Sequence, residues 1–103
     1  MREGPYLVVR EFQVKREREA EFMAAYGPDG EWARLFRRSP EFLGLELVES
    51  VGSPRRFMTF DHWASANGFE AFCVANAIAY ESLNQRLQGL TEWERRIGGF
   101  PPG

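Results

Sequence analysis

The order in which apolar patterns follow one another along the chain is the feature that most restricts its fold. Runs of β-branched and aromatic residues predict four strands, and apolar residues at spacings of three and four predict helices after the first strand and after the third. The predicted elements are a strand at Tyr6–Val14, a helix at Arg16–Tyr26, a short helix around Trp32–Phe36, strands at Phe42–Ser50 and Arg56–Trp63, a long helix from Ser65 to Leu90 that bends near Ala75–Ala79, and a closing strand at Glu94–Phe100.

An order of strand, helix, strand, strand, helix, strand is the split βαβ pattern of the α+β ferredoxin-like fold. In that fold the helices cover one face of a four-stranded antiparallel sheet and leave the other face bare. A length of 103 residues provides for one core and excludes a second. We therefore expect a single domain over residues 1–103, with a core of about residues 6–100.

Large apolar side chains occupy both faces of the predicted strands. Val8 and Phe12 point to one side of the first strand while Leu7 and Val9 point to the other, because side chains alternate along a strand. A sheet with helices on one side and apolar groups on both must bury its second face, and the simplest cover is a second copy of the chain. The pattern predicts a homodimer that packs sheet to sheet into an α/β barrel.

The charged and metal-binding residues argue against several classes of protein. Thirteen basic and 15 acidic residues leave a net charge of −2, which disfavours nucleic acid or an anionic membrane as a partner. No apolar run reaches the roughly 20 residues of a membrane span, and the first residues lack the apolar stretch of a signal peptide, so a cytoplasmic location is expected. Cys73 and His62 are the only cysteine and histidine, too few for an internal disulfide or for a zinc or iron site.

Short motifs of aromatic and small residues follow one another through the second half of the chain. They are Asp61–Ser65, Gly68–Phe72, Tyr80–Leu83, Leu90–Glu94 and Ile97–Gly98. Together these motifs resemble the antibiotic biosynthesis monooxygenase-like domain of the dimeric α/β-barrel superfamily, and the resemblance extends over about residues 6–100. It implies a ferredoxin-like subunit, a dimer whose two sheets form a barrel, and a hydrophobic pocket between sheet and helices.

The resemblance also implies a range of activities. Members of the family include cofactor-independent oxygenases of phenolic polyketides, quinol oxygenases and haem-degrading enzymes. The chain resembles the haem-degrading branch least, because its first strand contains no asparagine and its predicted long helix contains neither histidine nor tryptophan. The resemblance therefore implies a small hydrophobic aromatic ligand and no bound cofactor.

Two polar residues are candidates for chemistry. Histidine exchanges protons near neutral pH, so His62 is the candidate catalytic base; its structural alternative is a polar residue at the sheet edge. Asn76 lies on the same helical stripe as Phe72 and Tyr80. Its amide would orient a ligand carbonyl or, alternatively, satisfy a backbone carbonyl where the helix bends.

Aromatic residues are candidates for the wall of a binding pocket, because flat rings stack on a flat ligand. These candidates are Tyr26, Trp32, Trp63, Phe72 and Tyr80, which join Asn76 as predicted substrate-binding residues. Their structural alternative is ordinary core packing. Arg10 and Glu46 are charged positions in apolar strands, and we expect opposite charges to pair with them across the sheet or across the dimer.

Two functions fit these observations. The first is a homodimeric monooxygenase that oxidises a small aromatic or quinol-type molecule without a cofactor. In this function His62 removes a proton, Asn76 or Tyr80 orients the substrate oxygen, and the resulting anion reacts with dioxygen. The second is a non-catalytic ligand-binding or structural dimer of the same superfamily. A cavity of about 300 Å³ or more beside His62 or Asn76 favours the enzyme, and a filled core favours the second function.

Overall fold

Four antiparallel strands form one sheet, and the helices pack on one of its faces. The computed structural model describes residues 4–100. Its elements are β1 (Tyr6–Val14), α1 (Glu19–Tyr26), α2 (Glu31–Phe36), β2 (Phe42–Glu49), β3 (Arg56–Trp63), α3 (Ala66–Ala75), α4 (Ala77–Leu87), a 3₁₀ turn (Gln88–Leu90) and β4 (Thr91–Phe100). The strand order is β2-β3-β1-β4, with β1 and β3 at the centre. This topology confirms the ferredoxin-like α+β fold. The ends of the predicted 1–103 domain lie outside the described residues.

The helices differ from the prediction in two places. α1 begins at Glu19 and not at Arg16, because Glu17 adopts a positive φ of 67° that a continuous helix does not allow. The predicted long helix is divided at Asn76, whose φ of −121° separates α3 from α4. This division lies inside the range where the sequence predicts a bend.

Aromatic rings fill the space between the sheet and the helices. Phe22 and Tyr26 of α1 stack with ring centroids 4.3 Å apart. Phe36 of α2 meets Trp63 of β3 and Phe72 of α3 edge to face, each at 5.4 Å. Edge-to-face and stacked pairs add to the free energy gained from burying the rings. The aromatic residues of the helical layer are thus mostly core residues.

A tight break between α1 and α2 positions two of these rings. The chain reverses over residues 27–30, where a Cβ atom on Gly30 would lie 2.5 Å from the carbonyl oxygen of Ala24. Arg34 and Arg37 donate hydrogen bonds to the carbonyl oxygens of this loop at 2.9 Å. The break therefore turns both Tyr26 and Trp32 inward, with their ring centroids 6.2 Å apart.

The opposite face of the sheet has no helical cover. It carries exposed apolar side chains, among which Val48, Trp93 and Phe100 are at least a third exposed. Ion pairs lie among them, since Glu11 accepts hydrogen bonds from both Arg56 and Arg95. Apolar groups thus occupy both faces, as predicted, while the sheet-to-sheet homodimer stays a prediction. No described helix has the length and apolar character needed to cross a membrane.

Candidate functional site

An ion pair lies in the interior of the protein, between the sheet and the helices. Arg10 of β1 and Asp61 of β3 both point to the helical side, and Arg10 Nη2 donates to Asp61 Oδ2 at 3.2 Å. Their side chains are only 7% and 1% exposed. Removing two charges from water costs several kcal/mol per ion, which one attractive contact only partly offsets. A pair this deep is therefore unusual for a domain of this size.

Aromatic rings surround the guanidinium group of Arg10. Its Cζ atom lies 5.1 Å from the ring centroid of Trp32, 5.8 Å from that of Phe12 and 6.0 Å from that of Tyr26. Burial lowers the pKa of Arg10, but the Asp61 carboxylate, with smaller contributions from nearby groups, outweighs burial and raises it overall. The rings stabilise the cation through their negative faces. Arg10 is a fixed positive charge held in an aromatic cage.

The same region concentrates polar atoms that make no hydrogen bond. Among the described residues, the buried side-chain nitrogen and oxygen atoms without a partner are Arg10 Nε, Tyr26 Oη, Trp32 Nε1, Thr59 Oγ1, Asp61 Oδ1 and Trp63 Nε1. Native interiors leave few such atoms, because each costs about 1–3 kcal/mol. We call these six residues the Arg10 cluster. Trp63 lies nearer the other end of β3, and the unused donors and acceptors around Arg10 are suited to binding a polar part of a ligand.

Burial raises the pKa values of two residues of the cluster and of Tyr80 beside it. It raises the pKa of Tyr26 to about 12, assisted by Glu94 and opposed by Trp32 and Arg10. Burial likewise raises the pKa of Tyr80 and of Asp61, with Arg10 acting in the opposite direction in both cases. Both tyrosines are therefore neutral hydroxyl groups that can donate a hydrogen bond. The raised pKa makes the Asp61 carboxylate a better proton acceptor than a solvated one.

A cleft of about 510 Å³ between α4 and β4 leads to this cluster. Its walls are Tyr80, Asn84, Gln88 and residues 91–96, and Arg10 lies among the residues that line it. Arg10 is the member of the cluster that contacts both the cleft and the interior. Within residues 4–100, no group of three or more His, Cys, Asp or Glu side chains is arranged to hold a metal ion. The side chains available to contact a ligand are the tyrosine, amide and charged groups of the cleft.

The structure brings three of the predicted aromatic residues together around Arg10. Tyr26 and Trp32 are fully buried in its cage, and the ring of Tyr80 contacts Trp32 edge to face at 4.9 Å. Tyr80 is also the one of the three that lines the cleft. Phe72 is buried against Trp63, away from the cleft lining, with ring centroids 5.3 Å apart.

Asn76 is occupied by contacts within the protein. Its Nδ2 donates to the carbonyl oxygen of Phe72 at 3.0 Å, and its Oδ1 accepts a hydrogen bond from Arg38 at 3.2 Å. These contacts join the α3–α4 break to the end of α2. The arrangement matches the structural alternative, in which the amide satisfies a backbone carbonyl at the bend.

His62 lies on the uncovered face of the sheet, across β3 from Asp61. Its Nε2 lies 2.7 Å from Glu46 Oε1, and its side chain is 44% exposed. It lines an apolar pocket of about 240 Å³ together with Leu7, Leu43 and Phe100. This volume is below the 300 Å³ that favours an enzyme site. The catalytic role of His62 stays a prediction.

Two residues of the cluster, Thr59 and Asp61, were absent from the candidates that the sequence supplied. Asp61 alternates with Phe57 and Trp63 along β3, so strand parity places a carboxylate on the apolar face. Arg10 was expected to pair but was not assigned to a site. Two opposite charges on the inner faces of adjacent strands are the signal that would have located the site.

Comparison with known proteins decides the family. The model of the antibiotic biosynthesis monooxygenase family matches residues 5–78. The chain belongs to the antibiotic biosynthesis monooxygenase family. A comparison with curated proteins finds no significant match.

Several solved structures share the fold of this family member. A variant of SnoaB, described as a cofactor-independent oxygenase from Streptomyces nogalater, is 20% identical and has a TM-score of 0.74, covering 95% of this chain and 92% of its own. Protein SO0527 from Shewanella oneidensis is 21% identical with a TM-score of 0.70, over 98% and 93% of the two chains. A conserved protein from Methanosarcina mazei is 13% identical with a TM-score of 0.72, over 96% and 93%. At these identities the likeness shows the fold alone.

The segment matched by the antibiotic biosynthesis monooxygenase model contains the whole Arg10 cluster. The match ends at residue 78, before most of α4 and all of β4. Tyr80 and the β4 wall of the cleft therefore lie beyond the matched segment. The ion pair belongs to the part of the chain that carries the family pattern, and the entrance to the cleft belongs to the rest.

The buried ion pair predicts a non-additive response to substitution. Asp61→Leu alone leaves the Arg10 cation buried without a counter-charge, and we expect it to lower the free energy of unfolding by about 3–5 kcal/mol. Arg10→Met combined with Asp61→Leu removes both charges and should lower it by less than Asp61→Leu alone. Urea denaturation of the single and double variants measures the coupling.

The exposed pair of Arg37 and Asp29 is the matched control, because its side chains are 48% and 95% exposed. The same pattern of substitutions there should give a coupling free energy below about 1 kcal/mol. Additive losses at Arg10 and Asp61 would contradict the interpretation of the interior pair.

The Tyr26 hydroxyl predicts a stability difference that appears only in alkali. The pKa of Tyr26 rises from 10.0 to about 12 in the folded protein, so the folded state resists ionisation that the unfolded state undergoes. The stability associated with the protonated Tyr26 hydroxyl is fully present below pH 10 and is lost as the pH rises towards 12. Tyr26→Phe should change the free energy of unfolding by about 1 kcal/mol or less at pH 7, where the hydroxyl is neutral in both the folded and the unfolded state.

Between pH 10 and pH 12, by contrast, the free energy of unfolding of the wild type should fall by up to about 3 kcal/mol more than that of Tyr26→Phe. Urea denaturation at pH 7, 10 and 11 gives the comparison, and the other titrating groups are common to both proteins. Parallel pH profiles for the two proteins would show that the hydroxyl ionises freely in the folded state.

Proposed function

We propose that the protein is a cofactor-independent monooxygenase that oxidises a small aromatic or quinol-type molecule. The observation that carries this proposal is the buried cation of Arg10, which lines the cleft and is surrounded by aromatic rings and by buried polar atoms without a hydrogen bond. Membership of the antibiotic biosynthesis monooxygenase family supports the same class of reaction. The substrate class follows from the aromatic lining and from the cation beside it.

Arg10 is the group that favours the reactive form of such a substrate. A phenol or enol bound against Tyr80 in the cleft would place its oxygen near the guanidinium, which stabilises the anion formed when the proton leaves. Asp61 Oδ1 makes no hydrogen bond in the described structure and carries a raised pKa, so it is the proposed proton acceptor. Because the aromatic cage fixes the cation in advance, little reorganisation accompanies the change of charge.

The electrons for this reaction come from the substrate itself. A deprotonated aromatic ring passes an electron to dioxygen and then combines with the reduced oxygen. When a ring CH₂ group becomes a carbonyl, one oxygen atom stays in the product and the other leaves as water. When a quinol becomes a hydroxyquinone, the balance is the same. In both cases the product has gained one oxygen atom and lost two hydrogen atoms, and no external reductant takes part.

Full burial of most of the cluster is the observation that favours the second candidate, a non-catalytic ligand-binding dimer. Tyr26, Trp32 and Trp63 are all 0% exposed, as in a closed core. A protein of this second kind would bind the same aromatic molecules in the cleft without consuming oxygen. Binding and turnover are therefore measured on the same samples.

The test uses a hydroxylated anthrone and a naphthohydroquinone as probes, with a chelator present and no cofactor added. We expect oxygen uptake and a product that carries one atom from ¹⁸O₂. Tyr80→Phe should lower kcat/KM by about tenfold or more, because a hydroxyl directed at the developing anion is lost. Val51→Ala at the exposed hairpin tip is the control and should keep full activity.

His62→Ala decides between the two faces of the sheet. Arg10 and His62 point to opposite faces, so within one chain they do not act on the same substrate molecule. Loss of turnover in His62→Ala with normal turnover in Tyr80→Phe would move the site to the pocket beside His62. Binding of both probes with no oxygen uptake would favour the non-catalytic function.

We also propose that a second copy of the chain covers the uncovered sheet face. The exposed apolar groups there include Val48, Trp93 and Phe100, and water-exposed groups of this size on one face are suited to a partner with the same surface. In solution we expect a dimer at micromolar concentration. Sedimentation equilibrium measures the mass directly.

Val48→Asp should shift this equilibrium towards the monomer, because it buries a charge in the contact. Val51→Asp introduces the same charge at the hairpin tip, outside the face, and should leave the mass unchanged. A wild-type monomer at micromolar concentration would overturn the proposed dimer without affecting the proposed reaction at Arg10.

A further inference from the structure

A second groove lies on the outer side of the helical layer, between α2 and α4. Its volume is about 370 Å³, and it shares no lining residue with the cleft that leads to Arg10. Its lining residues are Glu31, Arg34, Leu35 and Arg38 on one side and Ala79, Ser82, Leu83 and Arg86 on the other. The proposed oxidation gives this groove no role.

The two walls of the groove follow the same helical spacing. In each wall the residues follow one another after three, one and three positions. On α4 all four lie along one helical face, and on α2 the first three do, while Arg38 lies in the turn that follows α2. Glu31 and Arg86 join the walls at one end, where Arg86 Nη2 donates to Glu31 Oε1 at 2.6 Å. This ion pair compensates the charge of Arg86. The rest of the groove contains no other acidic residue.

Arg34 and Arg38 remain as two uncompensated positive charges. They are four positions apart in the sequence, with Arg38 in the turn that follows α2. Neither forms a salt bridge with any residue in the described part of the chain, and their hydrogen bonds go to neutral oxygens of Asp29 and Asn76. Arg37, which does not line the groove, pairs with the Asp29 carboxylate instead. The chain has more acidic than basic residues, yet no carboxylate within residues 4–100 forms a salt bridge with either arginine.

The floor of the groove is apolar. Leu35 from one wall and Leu83 from the other are only 8% and 7% exposed, and Ala79 also lines the groove. A guanidinium group binds carboxylate and phosphate oxygens through several N–H groups, and each arginine here has donors beyond the one already used. Cationic groups above an apolar floor fit a molecule with an anionic head and a hydrocarbon tail.

We infer that the groove between α2 and α4 is a binding site for a small amphipathic anion, a carboxylate or phosphate carried on an apolar chain. The anionic head lies between Arg34 and Arg38, and the tail lies along Leu35 and Leu83. This site is independent of the proposed oxidation, because the two clefts have separate linings. Failure of either proposal leaves the other intact.

Isothermal titration calorimetry on the full chain tests the site with decanoate, decyl phosphate and decanol, each below its micellar concentration. Both anions should bind about tenfold or more tightly than decanol, which has the tail without the charge. A preference between the two anions identifies the head group. Equal affinity for decanol and the anions would overturn the inference.

Ser82 offers a substitution that does not disturb the fold, since it is exposed on α4 and lines the groove. Ser82→Glu introduces a carboxylate that competes for the two arginines, and we expect it to weaken anion binding about tenfold or more. Ser82→Gln has nearly the same size without the charge and should bind as the wild type does. Equal affinity of the two variants would overturn the inference.

A second pair of variants removes the cations directly. Arg34→Gln with Arg38→Gln should weaken decanoate binding by about tenfold or more and bring it close to decanol. Lys15→Gln with Arg16→Gln changes the net charge by the same amount in an exposed loop away from the groove and should alter binding less than about twofold. A similar loss in both double variants would show attraction by net charge alone and would overturn the site.

Discussion

The buried ion pair between Arg10 and Asp61 is the interaction around which the helical side of the sheet is arranged. Replacing such a pair with well-packed apolar side chains is commonly neutral or stabilising, so stability alone gives no reason for its presence. The aromatic cage, the neutral tyrosines and the break between α1 and α2 all place groups around the guanidinium. An interior built in this way costs folding free energy and places a charge in the lining of a cleft. This is the pattern expected of a functional site.

The sheet separates two kinds of surface. On the helical side, one charge pair is buried, and its Arg10 is surrounded by rings and lines a cleft. On the uncovered side, His62 with Glu46 and Glu11 with its two arginines remain partly solvated among apolar groups. The buried charges of Arg10 and Asp61 interact strongly and are held in place, while water screens the charges on the uncovered face. The proposed reaction at Arg10 and the proposed dimer contact therefore involve opposite faces of the same four strands.

The sequence predicts the fold well because local signals agree with one another. Strand alternation places Val8 and Phe12 inside, and the spacing of apolar residues locates α3, α4 and the bend between them. The early start of β4 at Thr91 was missed because a register shift beside Val14 makes this part of the strand irregular. The start of α1 at Glu19 was missed because a left-handed residue is usually signalled by glycine, and Glu17 gives no such signal.

The site was predicted less completely because its contacts join distant parts of the chain. Tyr26, Trp32 and Tyr80 were recognised as candidates, but their meeting point is Arg10, whose partner Asp61 lies 51 residues away. That contact exists only because β1 and β3 are neighbours in a definite register. Alternation along β3 places His62 on the opposite face from Asp61, yet nothing in the sequence says which face holds the cleft. His62 was chosen as the candidate base only because histidine exchanges protons near neutral pH.

Adjacent residues of β1 carry opposite charges to opposite faces, and this has a consequence for folding. A slip of β1 by one residue would turn Arg10 out to the uncovered face and turn Glu11 in among the aromatic rings. Glu11 would then be buried without Arg56 and Arg95, and Asp61 would lose its cation. Misaligned pairings of the central strands are therefore penalised on both faces at once. The opposite charges on the two faces of β1 therefore protect the chain from misfolding into a neighbouring alignment.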